Sequence, residues 1–290
     1  MSLVNFGSIN LDFVYRVQAL VRPGETVQSL SLERFAGGKG FNQSLALARA
    51  GAEVRHVGSV GEDGRWLVEM LATEGVDIRN VEVVETPTGH AIIQVSARGE
   101  NSILVHAGAN RELSGSQLER ACVDLGDGDW VLLQNETNAP EFVLAEASKR
   151  GFRVILNPSP LDSSLLDLPL DRVDTFLVNE VEGEALAGEA DPDRVLGAMR
   201  KRFPAADIVL TRGEQGAAFS GRDGTSAYAG AESVEVIDTT GAGDTFAGFY
   251  LAALLSGANP QSALVAGCRA AAHCVSRPGA APSIPRVSDL

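Results

Sequence analysis

Four short apolar runs, Trp130 to Gln134, Val154 to Leu156, Thr175 to Val178 and Ile208 to Leu210, constrain this fold more than any other feature. Each is nearly continuous, without polar alternation, as suits a parallel strand covered on both faces. Helical segments near Glu141 to Arg150 and Arg194 to Arg202 separate some of them, and parallel neighbours need such crossovers. Leu3 to Phe6 and Val54 to Ser59 read as two more strands, the second followed by a helix over Asp63 to Glu74. The alternation predicts one α/β domain over residues 1–290, with a mostly parallel central sheet flanked by helices. An apolar fraction of 44% is ample for its core.

In an open parallel sheet, ligands sit beyond the carboxyl ends of the strands. The residues there are Gln134-Asn135-Glu136, Asn157-Pro158, Asn179-Glu180-Val181-Glu182 and Thr211-Arg212-Gly213, polar at every exit. Asn10 and Asp12 lie just past the first strand, two apart, so an extended chain points both one way. They could grip hydroxyls, and they could equally form an Asx-turn. Asn179 and Glu182 have the spacing of an N-cap and its reciprocal partner.

Two glycine clusters stand out. Gly37-Gly38-Lys39-Gly40 opens a helix with Phe41, Leu45 and Ala48 on one stripe, ending at Gly51. It is no Walker loop, because Gly40 follows the lysine. Near the other end, an apolar, strand-like run through Val234, Val236 and Ile237 leads into Asp238-Thr239-Thr240-Gly241-Ala242-Gly243-Asp244-Thr245-Phe246. The glycines and a helix N-terminus make an anion site. Asp244 sits inside it, where a carboxylate would repel a resting phosphate. It is either a general base or an ordinary first-turn acid.

Asp-Thr-Thr-Gly-Ala-Gly-Asp-Thr-Phe resembles the C-terminal signature of the ribokinase-like carbohydrate kinases, and Gly-Gly-Lys-Gly-Phe-Asn-Gln resembles their N-terminal one. They occur in the family's order, roughly two hundred residues apart, and together are far more specific than either alone. The likeness runs from Gly7-Ser8-Ile9-Asn10 to Pro282-Ser283-Ile284-Pro285.

The resemblance implies an ATP-dependent kinase acting on a sugar's primary hydroxyl. Asn10, Asp12, Gly38, Lys39, Asn42 and Glu136 would contact the sugar, and Asp244 would take its proton. Amides of Gly241, Ala242, Gly243 and Asp244 would stabilise the transferred phosphoryl group. Asn179 and Glu182 would position Mg2+ and the ATP phosphates through water, while Thr211, Gly213, Gly216 and Gly243 would line the nucleotide. A potassium ion would be held by Asp238, the carbonyls of Thr240, Cys274, Arg277 and Gly279, and the Ser283 hydroxyl. The sugar-contact set resembles that of ribose-using members more than that of fructose- or nucleoside-using ones, so D-ribose is expected. Kinases for fructose, a 2-keto-3-deoxy sugar acid or a nucleoside are the alternatives within the class. A binding protein that transfers nothing is the alternative outside it, disfavoured by Asp244 and the unbroken Gly241-Ala242-Gly243.

Strand signals near 26–35 and 90–106, the latter a hairpin about Arg98-Gly99-Glu100-Asn101, break the alternation. In the family such strands form a small sheet over the sugar, and a sheet with an apolar face can cover it with a second copy. A homodimer through this lid is therefore an expectation. A net charge of −14 argues against nucleic acid or an anionic membrane as partner. Cys122, Cys268 and Cys274 form no Cys-x-x-Cys pair and read as buried thiols in a reducing cytosol. With no signal peptide or membrane-length apolar run, a cytoplasmic protein is expected.

Overall fold

The computed structural model describes residues 2–290. The chain opens with β1 (Leu3–Phe6), β2 (Asn10–Val17), β3 (Ser31–Gly37) and α1 (Lys39–Arg49), then β4 (Val54–Val60), α2 (Arg65–Thr73) and β5 (Asp77–Val83). The hairpin β6 (Gly89–Ser96) and β7 (Asn101–His106) comes next, before α3 (Gly115–Cys122). Strands and helices then alternate through β8 (Trp130–Gln134), α4 (Pro140–Arg150), β9 (Arg153–Asn157), α5 (Ser163–Leu166) and β10 (Thr175–Asn179). The last part holds α6 (Glu180–Ala187), α7 (Pro192–Arg202), β11 (Asp207–Thr211), β12 (Ala217–Ser220), β13 (Ser226–Ala229), α8 (Ala242–Leu255) and α9 (Pro260–Val275).

Nine strands form the central sheet in the order β13-β12-β11-β10-β9-β8-β1-β4-β5. All its neighbours are parallel except β11-β12 and β12-β13, so the four apolar runs lie side by side as expected. Their residues alternate between two cores. Leu132, Ile155, Leu177 and Val209 face α1, α2, α8 and α9, while Val131, Leu133, Val154, Leu156, Phe176, Val178, Ile208 and Leu210 face α3, α4, α6 and α7. Burying such a side chain contributes about 1.5–3 kcal/mol, and a strand covered on both faces has no room for a polar position.

The smaller sheet has the order β3-β2-β6-β7. The hairpin forms as read. The strand expected from Thr26 begins only at Ser31, because β3 finds a partner in β2 no further than Arg16↔Ser31 and residues 26–30 are exposed. β2 itself went unread: Asn10 and Asp12 sit on a strand and not in an Asx-turn. Ile103, Leu104 and Val105 of the edge strand β7 are solvent-exposed.

The apolar run before the second glycine cluster is likewise not a strand. Residues 231–238 are irregular, and Ile237 and Asp238 donate their amides to the Val275 carbonyl at the end of α9, at 2.8 and 3.1 Å. Helix-end carbonyls lack intrahelical partners, so they satisfy this segment without a sheet.

Helices α1 and α8 pack so closely that a Cβ at Gly248 would stand 2.3 Å from the Ala46 Cβ and 2.8 Å from the Leu47 amide nitrogen. Gly248→Ala should gain about 1 kcal/mol of helix propensity and lose about 1–3 kcal/mol to overpacking. A net loss of stability in urea unfolding is the expected outcome; a stabilised variant would contradict the close approach.

Candidate active site

The two glycine clusters meet at the carboxyl edge of the sheet. A Cβ on Gly40 would fall 2.3 Å from the Gly7 Cα, so only glycine lets the start of α1 press onto the loop leaving β1. The α1 amides then face Asp244 in the first turn of α8. Asn42 Nδ2 donates to Asp244 Oδ2 at 3.0 Å, and Gln43 Nε2 donates to Oδ1 at 2.8 Å.

Asp244 lies in the first turn of α8 and is not its N-cap. The N-cap is Gly241, left-handed at φ 77°, and no side chain caps the helix. Asp244 is buried, and burial pushes its carboxyl pKa upward against the Lys39 charge and the Gln43 and Asn42 donors. A carboxylate that is oriented on both oxygens and made more basic by desolvation is suited to accept a proton. The Ala242 amide is taken by the Thr239 carbonyl at 3.2 Å, while the Gly241, Gly243 and Asp244 amides have no protein acceptor and are open to an anion.

The expected sugar-contact residues converge beside it. The Glu136 carboxylate accepts from the Lys39 amide at 3.0 Å and from the Ser8 hydroxyl. Gly38, at φ 90°, lies against the backbone of Asn10. Asn10 Oδ1 accepts from Asn110 Nδ2 at 2.7 Å, and Asn110 Oδ1 accepts from the Ile9 amide at 2.9 Å. Burial, and then the nearby Glu136 charge, push the Asp12 carboxyl up to about 7. The Asn42 Oδ1 is buried without a partner, an acceptor ready for a hydroxyl.

A second group lies at the ends of β10 and β11, where Asn179 and Thr211 are cross-strand neighbours. Asn179 and Glu182 form the capping box: Glu182 donates its amide to Asn179 Oδ1 at 2.9 Å, and its Oε2 accepts from the Asn179 amide at 3.1 Å. The cap uses one carboxylate oxygen and leaves the other, so the pair fits a water-mediated contact to a hydrated Mg2+. Thr211 Oγ1 donates to the Val178 carbonyl at 3.3 Å. Gly213 and Gly216 have positive φ, and a Cβ on Gly216 would strike the Ala229 carbonyl at 2.0 Å. Among the described residues no hydrogen bond joins this loop to 241–243.

The third group gathers the terminal loop around Asp238. Its Oδ2 accepts from the Gly279 amide at 2.8 Å, and its Oδ1 from the Thr240 amide and hydroxyl. Cys274 Sγ lies 3.7 Å from the Thr240 carbonyl and 3.0 Å from the Ser283 hydroxyl. The Cys274 carbonyl accepts from the Arg277 amide at 3.1 Å, which keeps one lone pair. Among the described residues no cluster of three or more His, Cys, Asp or Glu could hold a metal ion. A set of carbonyls, one hydroxyl and one carboxylate fits a monovalent cation.

The whole length agrees with this geometry. The family of pfkB carbohydrate kinases matches residues 1–287. The chain belongs to that family.

The kinase is 36% identical to ribokinase of Haemophilus influenzae, with 98% of this chain and 95% of that one covered. Among solved structures it resembles ribokinase of Cryptococcus neoformans in complex with ADP, at TM-score 0.87 and 34% identity over 100% of this chain and 98% of that one. It also resembles Arabidopsis thaliana ribokinase complexed with ribose and ATP, at TM-score 0.86 and 31% identity over 98% and 96%. The kinase uses ATP. Among its described residues no helix is long and apolar enough to cross a membrane.

Three polar residues escaped the sequence reading: Gln43, Asn110 and Asn5. Gln43 follows Asn42 near the start of α1, and two adjacent amide side chains there were the available signal. Asn110 and Asn5 carry no local signature, since each is defined by a partner about 35 or more positions away. His56 is the satisfied structural histidine expected, between Ser44 Oγ at 2.8 Å and the Gly7 carbonyl at 3.1 Å.

Asp12 yields a pH test. Its folded-state pKa of about 7 lies above the ordinary 3.8, so its contribution to stability is whole below 3.8 and is lost as pH rises through 7. Asp12→Asn should therefore be more stable than the parent at pH 8, by about 1–3 kcal/mol, with the gap closing toward pH 4. Urea melts at pH 4, 6 and 8 read this, and a pH-independent gap would show that the carboxyl is ionised throughout.

Proposed function

We propose that the kinase transfers the ATP γ-phosphoryl group to the primary hydroxyl of D-ribose, giving ribose 5-phosphate. The observation that carries this reading is the buried Asp244 carboxylate, oriented by Asn42 and Gln43 beside the sugar-contact residues. Asn10, Asp12, Gly38, Lys39, Asn42 and Glu136 hold the sugar, with the free Asn42 Oδ1 accepting from a hydroxyl. Asp244 takes the proton as the sugar oxygen attacks phosphorus in line. The Gly241, Gly243 and Asp244 amides, at the positive end of α8, meet the charge that develops on the transferred group.

Thr211, Gly213 and Gly216 would border the nucleotide, and Asn179 and Glu182 would hold Mg2+ through water. When bound, Mg2+ neutralises phosphate charge. Asp238, Thr240, Cys274, Arg277, Gly279 and Ser283 would hold potassium. That ion would stiffen the loop under the anion site.

Asp244→Asn keeps size and polarity and removes the base, so turnover should fall on the order of a hundred-fold or more while sugar binding persists in calorimetry. Assayed on ribose, 2-deoxyribose, fructose and adenosine, the parent should prefer ribose, each unpaired site group costing about 1–3 kcal/mol. Parent-like turnover in the Asn variant would remove the base, and a preference for another acceptor would remove ribose alone.

For the cation, activity should rise with potassium and not with lithium at equal ionic strength, and Asp238→Ala should abolish the difference. Equal rates in both salts would leave the terminal loop as structure only.

A further inference from the structure

We infer that Gln43 is a positioning residue that fixes the plane of the Asp244 carboxylate, and that two backbone carbonyls set its direction through a chain of buried amides. The inference rests on Asp244 being the base of the proposed reaction.

An amide side chain has a donor end and an acceptor end of almost the same shape, so its neighbours decide which end faces a given group. A backbone carbonyl can only accept. The Asn5 atom 2.9 Å from the Gly40 carbonyl is therefore its NH2 group, which turns Asn5 Oδ1 toward Gln134. Gln134 must then present Nε2, 2.9 Å from Asn5 Oδ1 and 2.8 Å from Gln43 Oε1. With its oxygen so engaged, Gln43 has only Nε2 left for Asp244 Oδ1, at 2.8 Å, and for Asn157 Oδ1, at 3.0 Å. Asn157 is fixed in the same manner, because its Nδ2 donates to the Leu177 carbonyl at 2.9 Å.

The Gly40 and Leu177 carbonyls thus impose one donor direction that ends on the carboxylate. A reversed Gln43 would set a carbonyl oxygen against Asp244. With Asn42 on the other oxygen, the carboxylate is held at both ends and cannot rotate. Gln43 is fully buried, and its side-chain hydrogen bonds go to Asp244, Asn157 and Gln134 and to none of the sugar-contact residues. Its effect should therefore fall on the chemical step and not on sugar affinity, since a small misalignment of a reacting group can lower the rate steeply.

The test is a split between turnover and binding. Gln43→Met keeps the length and removes the donor. Turnover per binding-competent site, with competent sites counted from the calorimetric stoichiometry of the best sugar, should fall about tenfold or more. The KM and Kd for that sugar should stay within about twofold of the parent. Gln134→Met leaves Gln43 in place but frees its oxygen end, and should give the same split to a smaller extent. It carries the test if Gln43→Met does not fold.

A merely structural role would lower melting temperature and binding stoichiometry while turnover per competent site stayed at the parent value, and that result overturns the inference. Asp244→Asn run in parallel separates the two levels. If it stays active, the base reading fails. If it is inactive while Gln43→Met and Gln134→Met turn over like the parent, only this inference fails.

Discussion

A carboxylate without water must be given hydrogen-bond donors, and in this protein the donors for Asp244 come from a helix 202 positions away in sequence. That requirement ties α1 to α8. The two helices approach closely enough that Gly248 has no room for a methyl group, and the α1 start lies on the β1 exit only because Gly7 and Gly40 both lack side chains. Loosening either contact would leave a buried charge short of a donor. The site and the packing of this half of the molecule are therefore one problem.

The sheet divides the labour. One core, beneath α3 to α7, is built from Val131, Leu133, Val154, Leu156, Phe176, Val178, Ile208 and Leu210 and holds neither Asp244 nor the sugar-contact set. The other, beneath α1, α2, α8 and α9, supplies the helix starts that converge at the carboxyl edge. The smaller sheet reaches that edge through β2, which brings Asn10 and Asp12 over Gly37 and Gly38. Desolvation under this sheet is what raises the Asp12 carboxyl, while further burial does the same for Asp244. Two acids are thus made more basic by exclusion of water, Asp12 on the smaller sheet and Asp244 in the first turn of α8.

Local sequence failed where strand propensity met no partner. Thr26 to Leu30 and Val234 to Ile237 both carry strand-forming residues, yet neither segment pairs into a sheet. The Asn179 and Glu182 pair shows another limit. Its spacing reads as a capping box and as a site for a hydrated ion, and the structure forms the cap while leaving one carboxylate oxygen over. Spacing alone cannot separate the two, because both need an acid one turn from an Asn at a strand exit.

The sequence by itself determined the parallel middle of the central sheet, the two glycine-led helix starts and the candidate groups for chemistry, because these depend on runs of a few residues: apolar stretches, glycines with nothing to clash, an acid after Gly-Ala-Gly. Only the tertiary structure decided that Asp244 is a buried carboxylate held at both oxygens and not a surface acid, and that Gln43, Gln134, Asn5 and Asn157 form one directed chain behind it. The direction of an amide and the basicity of a carboxylate are properties of their surroundings, and those surroundings are assembled from segments far apart in the chain, through contacts that no local pattern encodes.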